Sequence, residues 1–135
     1  MYAILDTCVL VSALRSKDGA SHGVLRAVLA GRIRLALSVA LAIEYEEVCL
    51  RPGLVPSLEP AQITKVVDGL CSLSQHQKIF YTWRPFLTDP DDDLVLELAL
   101  AAGAPYIITR NIKDFQGSET LGIRIITPAQ ALTLI

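Results

Sequence analysis

The chain has 135 residues, 52% of them hydrophobic and 19% charged, with a formal net charge of −2. This length and composition fit one ordered α/β domain over residues 1–135 that buries its own core, and they exclude a disordered tail or linker. Mean hydropathy is +0.45, yet no apolar run approaches the roughly 18 to 20 residues needed to cross a bilayer. The apolar start carries Asp6 in its middle and lacks a basic leading segment, so it reads as a buried strand rather than a signal peptide. Cys8, Cys49 and Cys71 are odd in number and widely spaced. They read as reduced core residues of a cytoplasmic protein, not as a zinc site or a disulfide framework.

Met1 to Leu5 predicts a strand ending at Asp6, and Val9, Leu10 and Ala13 continue at helical spacing. A second helix is expected over Ser21 to Ala30, closed by Gly31, followed by a strand over Ile33 to Leu37. Ser38 is placed to cap a third helix, which runs to about Leu50 and carries Glu44, Glu46 and Glu47 before Arg51-Pro52-Gly53 stops it. Pro60 opens a fourth helix with Ile63, Val66, Val67 and Leu70 on its buried stripe. Lys78 to Trp83 is aromatic and β-branched, and predicts a third strand. Residues 88–93 form an acidic loop ahead of a helix from Leu94 to Ala102. Tyr106 to Thr109 reads as a strand, 111–117 as a polar connection, Ile123 to Ile126 as the last strand and Pro128 to Leu134 as the last helix. Strands alternating with helices imply a mainly parallel sheet covered on both faces, a three-layer α/β/α architecture.

Ligands of such sheets bind beyond the C-terminal ends of the strands, where strand order reverses. The acids there are Asp6, those of 89–93, and Asp114 beside Asn111. Glu44 sits among Leu41, Ile43 and Val48, where a carboxylate needs a partner. Several carboxylates with few histidines form an all-oxygen donor set suited to Mg²⁺ or Mn²⁺ rather than zinc. Bound ions of this kind activate water and stabilise charge during in-line attack on a phosphodiester. The net charge of −2 offers no global attraction for nucleic acid, but about half of the 14 acidic residues fall in this candidate site, where bound cations offset them.

The run Ala3-Ile4-Leu5-Asp6-Thr7-Cys8-Val9-Leu10 resembles the opening of PIN domains. Ser38 with Glu44 six residues on, then Tyr45 and Val48, resembles the family's second motif. Asp92 with Ala99 and Gly103 resembles the third, and Ile107-Ile108-Thr109-Arg110-Asn111-Ile112-Lys113-Asp114-Phe115 the fourth. The resemblance implies a Mg²⁺- or Mn²⁺-dependent nuclease acting on RNA, with Asp6, Glu44, Asp92 and Asp114 as the metal-site residues. It further implies an antitoxin protein as partner, if the chain is one of the VapC toxins, and a homodimer. Two positions depart from the family pattern: Cys8 stands where Asn is common, and Asn111 where an acid is common.

Each acid also has a plainer reading. Asp6 can be a helix cap, Glu44 part of a solvated acidic face with Glu46 and Glu47, of which at most one reaches the site, and Asp91 to Asp93 a cap for the next helix. Asp93 is the alternate to Asp92, and Asn111 a neutral oxygen donor beside Asp114. Thr7, Thr109, Arg110 and Lys113 are candidate substrate contacts, with Arg15 and Lys17 beyond them. Phe80, Tyr81 and Trp83 read as core or dimer surface, and His22 and His76 as surface residues without an acid–base role. A haloacid-dehalogenase-like phosphatase would need a second Asp where Cys8 stands. A PIN-like module that only binds RNA or a protein is the alternative outside enzymes.

Overall fold

The computed structural model describes residues 1–79 and 86–135. Five strands form one parallel sheet: β1 (Tyr2–Leu5), β2 (Arg34–Leu37), β3 (Gln75–His76), β4 (Tyr106–Ile108) and β5 (Arg124–Ile126), in the order β3-β2-β1-β4-β5. Around it lie α1 (Thr7–Arg15), α2 (Ala20–Leu29), α3 (Val39–Cys49), α4 (Pro60–Leu73), α5 (Pro90–Ala102) and α6 (Pro128–Leu134). Ala3, Ile4 and Leu5 of β1 are all essentially inaccessible. A strand buried on both faces requires helices above and below, and the fold is the three-layer α/β/α arrangement expected of such a parallel sheet. No helix among the described residues is long and apolar enough to cross a membrane.

Local chemistry accounts for the boundaries. Ser38 accepts a hydrogen bond from the Leu41 amide at 3.2 Å and caps α3, a contact typically worth about 1 kcal/mol. Pro60 and Pro128 occupy the first turns of α4 and α6 within capping boxes. Gly103 ends α5 at φ 67°, a left-handed conformation that residues with a Cβ adopt at a cost.

The acidic loop differs from its expectation. Asp89 is the cap, accepting from the Asp91 amide at 2.9 Å, and Pro90 begins the helix. Asp91, Asp92 and Asp93 therefore lie in the first turn of α5, where the helix dipole favours negative charge. The expected polar connection contains a short 3-10 turn over Ile112–Phe115, pinned by the fully buried Phe115. Of the expected strand from Lys78 to Trp83, residues 80–83 lie outside the described residues, and so do the expectations for Phe80, Tyr81 and Trp83. Lys78 and Ile79 are not in a strand. Among the described residues one edge of the sheet is Gln75–His76, where Ala36 and Leu37 of β2 supply the pairing.

The order of strands creates the site. From β1 the chain steps outward to β2 and β3, then returns across the sheet to place β4 on the other side of β1. The reversal falls between β1 and β4, whose ends are in register at Leu5 and Ile108. The next residues, Asp6 and Thr109, consequently stand side by side, and the Asp6 amide donates to the Ile108 carbonyl at 3.0 Å.

Candidate active site

A cleft of about 790 Å³ opens at this reversal point, with Asp6, Glu44, Asp92 and Asp114 on its walls. Asp6 is 8% exposed. It holds the N-cap position of α1 without using its side chain as a cap, so the capping role is not the one adopted. One oxygen, Oδ2, accepts from the Thr109 hydroxyl at 2.7 Å and from the Cys8 thiol at 3.3 Å. Thr109 is fully buried and its oxygen also accepts from the Asn111 amide at 3.0 Å. Its expected contact with substrate is therefore replaced by a positioning role on Asp6. Cys8 is half-buried, packed against the core and also part of the cleft wall, whereas Cys49 is buried as expected.

Glu44 reaches the cleft from α3 and accepts a hydrogen bond from the Thr7 hydroxyl at the start of α1. That bond supplies the partner its apolar setting requires. The neighbouring Tyr45 is fully buried, and its hydroxyl donates to the carbonyl of Leu5, the residue before Asp6. One buried bond thus ties the helix carrying Glu44 to the strand carrying Asp6. Tyr45→Phe should lower stability by about 1 to 3 kcal/mol, because it withdraws a donor from a buried carbonyl; urea unfolding measures this. Glu47, one turn beyond Glu44, also lines the cleft. The expectation that only one of the three glutamates reaches the site is corrected accordingly, since residues three apart share a helix face.

Asp92 projects from the first turn of α5 into the cleft and into an adjoining cavity of about 410 Å³, where Lys113 and Asp114 also lie. Asp93, the alternate, turns away: its Oδ1 accepts from the amides of Phe86 at 3.2 Å and Leu87 at 2.9 Å. Consecutive helix residues point about 100° apart, so only one of the two can face the site. Asn111 and Asp114 complete the wall from the 3-10 turn after β4, and Arg15 and Arg110 stand at its rim. Arg51, which the sequence marked only as a helix stop, lines the cleft too. Its position one turn after Glu47 was the available signal. His76 is exposed as expected, while His22 is half-buried and its Nδ1 lies 3.0 Å from the Ala13 carbonyl, a structural contact.

The electrostatics of the cleft are those of acids held too close. Burial raises the pKa of Asp6, against the lowering effect of the hydrogen bonds from Thr109, Cys8 and the Thr7 backbone. Glu44 is raised by burial and by repulsion from Asp91, Asp6 and Asp89, with the Thr7 bond opposing. Asp92 is pushed up to about 7, first by burial and then by Asp6, Asp89, Asp114 and Asp91. The Cys8 thiol is pushed up to about 11, first by burial and then by Asp6, and remains a neutral donor. Such a cluster is relieved by a bound cation, and its all-oxygen donors fit a hard divalent ion. Among the described residues no three acidic, histidine or cysteine side chains stand close enough to hold an ion as placed. The carboxylates ring the cleft rather than converge on a point.

A family model described as PIN domain matches residues 2–113. No curated protein sequence matches the chain. Among solved structures, the chain is similar to one described as VapBC2 from Rickettsia felis bound to a DNA fragment from their promoter. The TM-score is 0.59 at 18% identity, over 94% of this chain and 98% of that one. At this identity the likeness bears on the fold.

Proposed function

Because the chain belongs to the PIN-domain family, whose members are generally nucleases, we propose that it is a metal-dependent ribonuclease that cleaves single-stranded RNA. The observation that carries this reading is the ring of mutually repelling carboxylates at the strand-order reversal, with arginines at its rim. Asp6, Glu44, Asp92 and Asp114 would hold Mg²⁺ or Mn²⁺, with Asn111 as a neutral oxygen donor. When bound, such an ion supplies an activated water and stabilises charge on the phosphodiester oxygens. The chain's own part is to fix the acids and the strand. Thr109 and Cys8 bind Oδ2 of Asp6, and Thr7 holds Glu44. Arg15, Arg51 and Arg110 at the cleft, with Lys113 beside Asp92 and Asp114, give cationic contacts for phosphates. A toxin role with an antitoxin partner is supported by the likeness to a VapBC2 structure. Homodimerisation and a cytoplasmic setting rest on the family resemblance and the cysteine pattern.

The test is cleavage of labelled single-stranded RNAs and DNAs by purified protein with Mn²⁺, Mg²⁺ or a chelator. RNA should be cut with either ion and not with chelator. A second reading, a PIN-like module that only binds RNA or a protein, is favoured by the splayed acids and by Cys8 and Asn111. Absence of cutting together with undetectable Mn²⁺ binding would select it.

A further inference from the structure

Beside the main cleft lies a smaller cavity of about 320 Å³, between the start of α2 and the segment leading into α6. Ser12 and Arg110 line both, so the two spaces adjoin. The start of α2 is built without a cap: Gly19 stands at the N-cap and has no side chain to accept from the first-turn amides. The first intrahelical bond belongs to Gly23, which donates to the Gly19 carbonyl at 3.2 Å. The amides of Ala20, Ser21 and His22 therefore remain as donors at the positive end of the helix dipole.

A second feature lies within the cavity itself. Ser21 is 5% exposed, lines this cavity, and its hydroxyl has no hydrogen-bond partner among the described residues. Its oxygen is not sealed from the cavity, so water or a ligand there supplies the partner. Arg110 adds a guanidinium that forms no ion pair among the described residues. On the opposite wall the Thr127 hydroxyl oxygen accepts from the Gln130 amide at 3.1 Å. Asp18, the nearest acid in sequence, is exposed and not part of the lining.

We infer that this cavity is a phosphate subsite, in which the α2 amides, the Ser21 hydroxyl and Arg110 hold a backbone phosphate of the RNA strand next to the one at the acidic cleft. The inference rests on the ribonuclease reading for its ligand and extends it by naming where the strand leaves the cleft. Uncapped helix amides, a hydroxyl and an arginine are the donors that phosphate oxygens take. They carry no base information, so the subsite fixes the register of the strand rather than its sequence.

Two variants test it. In Gly19→Asp the new carboxylate caps α2, occupying the amides and repelling phosphate. It has room, since nothing lies within 4 Å of a Cβ at Gly19 and φ is −86°. Because Asp is a better N-cap than Gly, its melting temperature should equal or exceed the parent's. Ser21→Ala removes only the hydroxyl. Inorganic phosphate titrated into ¹⁵N-labelled protein should shift the amide resonances of Ala20, Ser21 and His22, and Gly19→Asp should abolish those shifts. Fluorescence anisotropy with a labelled single-stranded RNA in chelator should show roughly tenfold weaker binding for Gly19→Asp near 0.1 M salt, the size expected when a phosphate contact is lost. Ser21→Ala should weaken it by a smaller factor. Unshifted α2 amides, or shifted amides with unchanged RNA affinity in Gly19→Asp, would overturn the subsite even if RNA is cut. Shifted amides and weakened binding without cutting under any metal would uphold the subsite and overturn the ribonuclease reading.

Discussion

Asp6→Asn should abolish metal-dependent cleavage while leaving the protein as stable as its parent, or more so. Asn keeps the shape and lets the Thr109 hydroxyl continue to donate, at the position where it now reaches Oδ2 at 2.7 Å. What it removes is a charge that is 8% exposed and repelled by Asp114. Losing an outer-shell partner of a metal site typically costs about 10- to 100-fold in affinity or activity, and losing a primary carboxylate should cost more. Thermal melting and cleavage of one labelled RNA, run on the same preparations, read both effects. Retained cleavage would remove Asp6 from the metal set. A large fall in melting temperature would mean that the carboxylate is a structural group whose charge the fold needs.

The metal-free protein should lose stability as pH rises from about 4 to about 7, and Mn²⁺ should restore it at the upper end. The sign follows from the direction of the shifts. Asp92 is raised from 3.8 to about 7, and Asp6 and Glu44 are raised as well. Between these limits the folded protein keeps protons that the unfolded chain has released, so each increment of pH favours unfolding. Below about 4 both states are protonated at Asp92 and the advantage of the folded state is complete. Mn²⁺ binds the deprotonated acids of the folded chain. At a hundredfold excess over its dissociation constant it should therefore add about 2.7 kcal/mol, a rise of roughly 10 °C for a domain of this size. The rise should be present at pH 7.5, shrink towards pH 5, and vanish in Asp6→Asn. Metal-free stability that increases with pH over this window would contradict the electrostatics of the cleft.

The sequence made the fold legible where pattern and punctuation coincide. Asp6 was placed by its position at the end of an apolar strand, and α3 by the Ser38 cap ahead of a helical run. The short strand Gln75–His76 was not expected because both residues are polar and exposed. Their strand character comes from pairing with β2 rather than from propensity. The acidic run was read as a loop because three aspartates disfavour a helix interior, yet Pro90 makes them a first turn, where the dipole favours them.

Within the site, spacing alone could not separate Asp92 from Asp93. The helix start that points them apart depends on Asp89 acting as the cap. The part played by Tyr45 was hidden for a different reason: its bond to Leu5 spans 40 positions in the chain. Glu47 and Arg51 were legible in principle, since they follow Glu44 at helical spacing. They were passed over because charged residues late in a helix usually face solvent. The cavity at Ser21 has no sequence signature, because the burial of one serine is a property of packing.

Diffraction from crystals grown with Mn²⁺ at pH 7.5, recorded for the anomalous signal of manganese, bears most directly on whether the acid cluster is a metal centre. A peak bounded by the carboxylates of Asp6, Asp92 and Asp114, with Glu44 drawn towards it and away from Thr7, is the expected result. An empty cleft under saturating Mn²⁺, or manganese bound only elsewhere on the surface, would contradict it and leave the protein a PIN-like binding module.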